Sequence, residues 1–288
     1  MSILFPRDYT AIETWALKNG IPVVEARERY AQYGVLLAIA NSRELSKILV
    51  FKGGNALDFI WHPNRSTRDL DFSTLESSID EEGLRPLLQA ALNVAARDLR
   101  LFYLVQSISR NPPGEDKTFA TFQIKVGYAL PDASPRVIEN VKRGIPVSTV
   151  VPVEISLNET VCDFQEINIE GTNPLKVSSR EDIFAEKLRA LLQQPSRNRS
   201  RSQDLLDLAV HIKFEKPLNQ SHVAEYLKAK SKARDVVVSK SAFLVPEIFE
   251  RAFENYEALA STSRNEFIQF DEAKAILLGF IETLDIAD

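Results

Sequence analysis

Two aspartates flank one leucine at Asp69-Leu70-Asp71, and a pair of glycines, Gly53 and Gly54, stands a short way upstream. On a β-strand, residues two apart project to the same face, so Asp69 and Asp71 present two carboxylates side by side while Leu70 and Phe72 turn toward a core. Like charges this close repel unless a cation neutralises them. A hard divalent ion such as Mg2+, or Mn2+, takes oxygen ligands and is commonly held by one or two carboxylates plus substrate phosphates. The glycines supply the complement. Without side chains they let backbone N–H groups approach a phosphate. A helix opening at Asn55 adds a favourable field for an anion. In isolation a Gly-Gly pair is a turn and a D-x-D is a solvated strand face. The joint order of strand, Gly-Gly, helix and D-x-D strand reads as a metal–triphosphate site.

Other residues carry weaker signals by themselves. Glu154 sits in "PVEISLNE" with Val153 and Ile155 facing the other way, as an acid on an apolar strand. Glu159 follows at the strand's end. Asp204 and Asp207 are three apart in a helical pattern and share a face. Lys187, between Glu186 and Leu188, would by itself be a surface lysine. Arg197, Arg199 and Arg201 form a basic turn able to grip nucleic-acid phosphates. That turn carries no interleaved aromatics, so it gives no sign of base stacking. Cys162 has no neighbouring base that would make it a nucleophile, and His62, before Pro63, reads as a loop residue.

The elements that must position these groups follow from hydrophobic period. Residues 8–44 read mostly as helix, and "SKILVFKGG" as a buried strand ending in a turn. "NALDFIWHP" is one or two helical turns stopped before Pro63. "RDLDFST" alternates as a half-buried strand does, and "LRPLLQAALNVAARDLRL" is an amphipathic helix. Two more strands are expected in "TFATFQIKVGYAL" and "IPVSTVVPVEISLNET", joined by a charged connection over 131–144. Strands should end near residue 160 and helices take over. Ser178 with Glu181 opens one of these as a capping box, "DLLDLAVHIKF" is the next, and others lie near 219–232, 246–260 and 271–285. The fold class is α/β (α+β). A mixed-sheet lobe with N-terminal helices spans 1–170, and a helical lobe spans 171–288.

The motifs "KGGNAL" and "RSTRDLDF" resemble the nucleotidyltransferase-fold proteins of the AbiEii/AbiGii toxin family, within the polymerase-beta-like superfamily. That pattern runs G-G-[ST]-x-L, then R-x-[ST]-x-D-[IL]-D-[FL], with Arg65, Thr67, Asp69, Leu70, Asp71 and Phe72 in register. Asn55 departs from the usual Ser or Thr; its amide can hydrogen-bond a phosphate but cannot act as a hydroxyl. A second block, "AEKLRALLQQPSRNRSRSQDLLDL", is similar to the family's A-x-K-L-x-A-L helix, basic turn and R-D-[LI]-x-D, with Gln203 in the place of the arginine. The resemblance covers about residues 45–212. It implies that Glu154 completes a carboxylate trio with Asp69 and Asp71, the ligands for metal. It implies further that Lys187 contacts the triphosphate and that Asp204 orients Lys187 or sits near the metal. Gly53, Gly54, Asn55, Arg65 and Thr67 are the implied nucleotide contacts. The implied reaction passes NMP from an NTP to an acceptor such as tRNA, with two metal ions about 3.5–4 Å apart. The implied biology is the toxin half of a toxin–antitoxin pair in phage defence, with a cognate antitoxin as partner. Kinase-type γ-phosphoryl transfer to a protein and a non-catalytic nucleotide- or RNA-binding module are the alternatives.

Composition is consistent with this and narrows the rest. The chain has 288 residues, 44% hydrophobic and 26% charged, with net charge −5. That is the balance of a globular protein rather than a basic nucleic-acid coat. No apolar run approaches the roughly 20 residues of a membrane span. The N-terminus lacks a basic n-region. One cysteine permits no internal disulfide, in keeping with a cytoplasmic setting.

Overall fold

The computed structural model describes residues 5–65, 67–76, 79–114, 117–169 and 173–288, so the lobe boundary expected at 170/171 lies outside the described residues. The chain forms two compact units. The first comprises residues 1–52, 67–159 and 165–177, the second 53–66, 160–164 and 178–288.

The seven strands are β1 (Leu49–Lys52), β2 (Leu70–Thr74), β3 (Phe102–Asn111), β4 (Thr121–Ala129), β5 (Val150–Ser156), β6 (Phe164–Ile167) and β7 (Leu175–Ser178). They form one mixed sheet in the order β3-β4-β5-β2-β1-β7-β6. β2 pairs antiparallel with β1 and parallel with β5. Period-2 alternation sorts the faces. Leu70 and Phe72, Phe122 and Ile124, and Val153 and Ile155 are buried. Asp71, Gln123 and Glu154 stand on the opposite face. The helix Glu81–Leu99 packs against β3 and against the helix Val23–Asn41. The latter is buried on nearly every side from Arg29 to Ala40, as a helix at the centre of a unit must be.

Several elements depart from the sequence reading. "FYLVQSISRN" is a strand, β3, although it follows directly on a strong helix. The connection at 131–144 contains the helix Pro135–Lys142, capped by Ser134. Two short strands, β6 and β7, follow residue 160; at four residues each they are too short to show an alternation. The helix Arg180–Leu192 is capped by Ser179, which accepts from the Asp182 N–H, because Ser178 is still extended in β7.

The second unit is helical around a core that includes Phe184, Leu188, Leu205, Leu208, Tyr256 and Leu277. The helix Arg180–Leu192 packs on Gln220–Lys232, and Ser202–Phe214 packs on Phe270–Glu282. The segment 53–66 joins this unit through polar ties. Buried Asp58 accepts from the Asn64 N–H at 2.9 Å and pairs with Arg264 at 3.1 Å. The Asn64 side chain bonds the Glu266 backbone in both directions, at 2.9 and 2.8 Å. Among the described residues no helix is long and apolar enough to cross a membrane.

At Gly34 the Val23–Asn41 helix lies against Tyr103 of β3. A Cβ there would meet the Tyr103 hydroxyl at 2.1 Å, and that buried hydroxyl donates to Ala31 O at 2.7 Å. Gly34→Ala should therefore destabilise by about 1–3 kcal/mol through overpacking, despite the gain in helix propensity. Tyr103→Phe in the same chain should recover part of the loss. Urea unfolding of the single and double variants checks this, and a stabilised Gly34→Ala would refute the close contact.

Candidate active site

In the first unit the acidic groups lie on the open face of the sheet. Asp71 is directly opposite Lys52 on β1 and Glu154 on β5, and Glu154 is opposite Gln123 on β4. Asp69 falls in the bend just before β2. The Glu154 carboxylate accepts from Gln123 Nε2 at 3.1 Å. Burial first, and the neighbouring Glu154 charge second, push the Asp69 carboxyl above its ordinary pKa. Burial and a like charge both disfavour the ionised carboxylate. Among the described residues no three His, Cys, Asp or Glu side chains are close enough to form a ready-made metal cage. An incomplete carboxylate set of this sort fits an ion whose remaining ligands come from water and substrate phosphates.

Glu159 has a different occupation. It is part-buried and bonded by Lys52 Nζ and by the Ser73 hydroxyl. Lys52 also donates to Ser156 Oγ at 3.0 Å. Lys52 and Gln123 are thus the site-face residues that sequence reasoning passed over. Lys52 directly precedes Gly53, which was a usable signal. Gln123 looked like any polar residue of an alternating strand.

In the second unit the glycine turn is helical. Gly53 has φ +76°, a left-handed conformation that costs other residues strain. Gly53–Ala56 forms one helical turn, and Asn55 is fully buried. Thr67, in the first unit, bonds locally to Asp69 O at 3.4 Å.

Lys187, Asp207 and Arg65 are buried and form one ionic cluster with the part-buried Asp204. Lys187 Nζ reaches Asp204 Oδ1 at 2.5 Å and Asp207 Oδ2 at 2.9 Å, and Arg65 reaches Asp207 Oδ2 at 3.1 Å. Burial alone would lower the Lys187 pKa, but the two aspartates outweigh it and hold the ammonium charged. Burial alone would raise Asp207; Lys187 and Arg65 outweigh it and keep it ionised. The helical spacing that put Asp204 and Asp207 on one face is what lets both reach Lys187. The participation of Arg65 had no signal in sequence, being 142 residues away. Arg201 lies 3.7 Å from Asp204, a cation near the position where Gln203 stands in for arginine. Cys162 is part-buried, and burial pushes its thiol up to about 11, so it is no nucleophile at neutral pH.

A family model described as nucleotidyl transferase AbiEii toxin, type IV toxin–antitoxin system, matches residues 35–276. The chain belongs to the AbiEii family. It is therefore a nucleotidyltransferase-family enzyme and a toxin of the type IV toxin–antitoxin class, which implies an NTP substrate. No curated protein matches it. Among solved structures it is similar to a putative nucleotidyltransferase from Helicobacter pylori, at TM-score 0.53 and 16% identity over 89% of this chain and 92% of that one. JHP933 from Helicobacter pylori matches at TM-score 0.51 and 17% identity, covering 89% of each chain. MenT4, a nucleotidyltransferase toxin from Mycobacterium tuberculosis H37Rv, matches at TM-score 0.51 and 16% identity over 96% and 90%. At these identities the likeness shows the fold.

Two outcomes follow from the buried charges of this AbiEii chain. Asp207→Asn leaves Lys187 and Arg65 short of a carboxylate in a buried place, and should cost about 3–5 kcal/mol. A loss below about 1 kcal/mol in urea unfolding would mean that the cluster is not structural. His211 is buried against Phe184 and His62, and burial, with His62 and Arg180, pushes its pKa down to about 4. Above pH 6.5 both folded and unfolded states hold it neutral. As pH falls from 6.5 toward 4 the unfolded chain takes the proton first, so up to roughly 3 kcal/mol of stability is lost, and no more is lost below 4. His211→Phe should flatten this part of the stability–pH curve; an unchanged slope would assign it to other groups.

Proposed function

We propose that Asp69, Asp71 and Glu154 are the catalytic carboxylates of a metal-dependent NMP transfer to an RNA acceptor such as tRNA. The observation that carries this is the register of Asp71 between Lys52 and Glu154 on one polar sheet face, with the Asp69 carboxyl raised by burial and then by the Glu154 charge. Asp69, Asp71 and Glu154 would hold Mg2+ or Mn2+, which when bound neutralises charge on the phosphates.

An acceptor hydroxyl oxygen attacks the α-phosphorus of the NTP. The bond from that phosphorus to the β-bridging oxygen breaks, and pyrophosphate leaves. Glu154, oriented by Gln123, takes the hydroxyl proton. Gly53 and Gly54 offer backbone donors to phosphate oxygens, and Asn55, Arg65 and Thr67 belong to the same proposed nucleotide-binding set. Lys187 commits its N–H groups to Asp204 and Asp207, and an ammonium has three. The third is its capacity for a triphosphate oxygen, with Asp204 and Asp207 keeping the nitrogen charged and aimed. The acceptor is read as RNA because Arg197, Arg199 and Arg201 concentrate positive charge on a chain of net charge −5. Phage defence and a cognate antitoxin are part of the same reading, since the type IV class pairs a toxin with an antitoxin.

The test is radiolabel transfer to total RNA and to protein with α- and γ-labelled NTP. Label from the α position should appear on RNA. Asp71→Asn should abolish it by at least about 100-fold, about 2.7 kcal/mol at the transition state, with the melting temperature unchanged or slightly raised. Full activity in Asp71→Asn would sink the assignment, and γ-label on protein would make the enzyme a kinase.

A further inference from the structure

The basic turn in the second unit is a built pocket rather than a loose strand of charge. Gln194, 1% exposed, is its organiser. Its side-chain amide donates to Leu191 O at 3.2 Å and Ile248 O at 3.0 Å. Its side-chain oxygen accepts the Arg201 N–H at 2.8 Å, and its backbone oxygen accepts the Arg199 N–H at 3.2 Å. Asn198 turns the chain at φ +48° and is held by Arg251 at 2.8 Å. Three arginines from this turn are thereby brought together with two from elsewhere. Arg189, Arg197, Arg199, Arg201 and Arg234 line one cavity of about 40 Å³.

The charge in that cavity is not balanced. Glu186 is spent on Arg189. Asp204 is shared between Arg201 and Lys187. Arg197 and Arg199 form no ion pair among the described residues. The crowding is felt by the group itself: burial, then Arg189, Arg199 and Arg201, push the Arg197 pKa down. Guanidiniums held together against their repulsion favour an anion, and their planar forks match phosphoryl oxygens. The space holds about three waters, which is room for one phosphoryl group. A phosphodiester would need two exits for its flanking sugars. A terminal monoester needs one, and its charge of about −2 matches the two unpaired guanidiniums.

Space for the rest of such a ligand lies beside it. A second cavity, of about 310 Å³, shares Gln193 and Arg234 with the arginine pocket and is lined by Leu192, Pro195, Val236, Val237, Val245 and Ile248 among others. That is the lower end of the size range for small-molecule sites. Its lining also includes Gln193, Ser196, Arg234 and Asp235 and no aromatic rings, so it would accept the body of a nucleoside by apolar and polar contact rather than by stacking.

We propose that the pocket of Arg189, Arg197, Arg199, Arg201 and Arg234 binds a nucleoside 5′-monophosphate group, with the nucleoside in the adjoining cavity. The group comes either from the 5′ end of an RNA or from a free mononucleotide. Only the first source rests on the RNA-acceptor reading above.

The experiment measures binding on the full chain carrying Asp71→Asn, so that no transfer intervenes. Three probes are compared: a short RNA with a 5′-monophosphate, the same RNA with a 5′-hydroxyl, and AMP. The 5′-phosphorylated RNA should bind at least tenfold tighter than its 5′-hydroxyl twin, and AMP should compete with it. Arg197→Ala with Arg199→Ala should erase both effects. Both side chains are exposed, so this double variant should keep its melting temperature. AMP binding that depends on these arginines, without any 5′-end preference in RNA, supports the site and assigns it to free mononucleotides. Equal binding of both RNAs together with no AMP binding overturns the proposal. So does a 5′-phosphate preference that survives in the double variant. Because the readout is binding by a chain with Asp71→Asn, failure here leaves α-label transfer by the wild type as a separate question.

Discussion

The alternation of side chains along β2 is the constraint on which the first unit depends. Leu70 and Phe72 must go into the core, so Asp69, Asp71 and Ser73 must go to the other side. A slip of one residue would bury two carboxylates and expose a phenylalanine. β2 runs antiparallel to β1 and parallel to β5. Pairing on both sides places Lys52 and Glu154 level with Asp71. Gln123 then follows from the β4–β5 register. The chemistry of this face is thus a consequence of hydrogen-bond register, a property of backbone rather than of the side chains that use it.

The second unit solves a different electrostatic problem. It buries Lys187, Asp207 and Arg65, with Asp204 part-buried beside them, charges that cost several kcal/mol each to take out of water when buried. They are tolerable because each has a partner at hydrogen-bond distance, and because Asp207 serves two cations at once. The same helices carry the opposite arrangement a turn away. There five arginines line one cavity, Arg199 and Arg201 held through their backbone N–H groups by the buried Gln194, and Arg197 and Arg199 form no ion pair among the described residues. A balanced cluster rigidifies a unit; an unbalanced one waits for a ligand. The distinction is the number of partners, since Lys187 and Arg197 are both cations on helical segments of one unit.

Much of the acidic site was legible from spacing. D-x-D in an alternating apolar segment, a glycine pair after an apolar run, and Glu154 between Val153 and Ile155 are local patterns, and local patterns survive without knowledge of the fold. The helix Arg180–Leu192 and the shared face of Asp204 and Asp207 were legible for the same reason. β3 was not, because ten residues following a strong amphipathic helix gave no strict alternation; a register shift between Val105 and Ser107 breaks the period there. β6 and β7 were too short to have one.

The sequence by itself determined which residues could carry charge chemistry and on which face of their own element they lie, because strand and helix periods are local. Tertiary structure alone decided who answers them. Arg65 meets Asp207 across 142 positions. Lys52 is spent on Glu159 across 107. Residues 53–66 are held by Arg264 and Glu266, some 200 positions further along the chain. Those pairings depend on how the elements pack, and packing energy is summed over the whole core rather than written in any one motif. Whether an arginine becomes a partner of a buried aspartate, as Arg65 does, or one of five around an open cavity, as Arg197 does, is settled at that level.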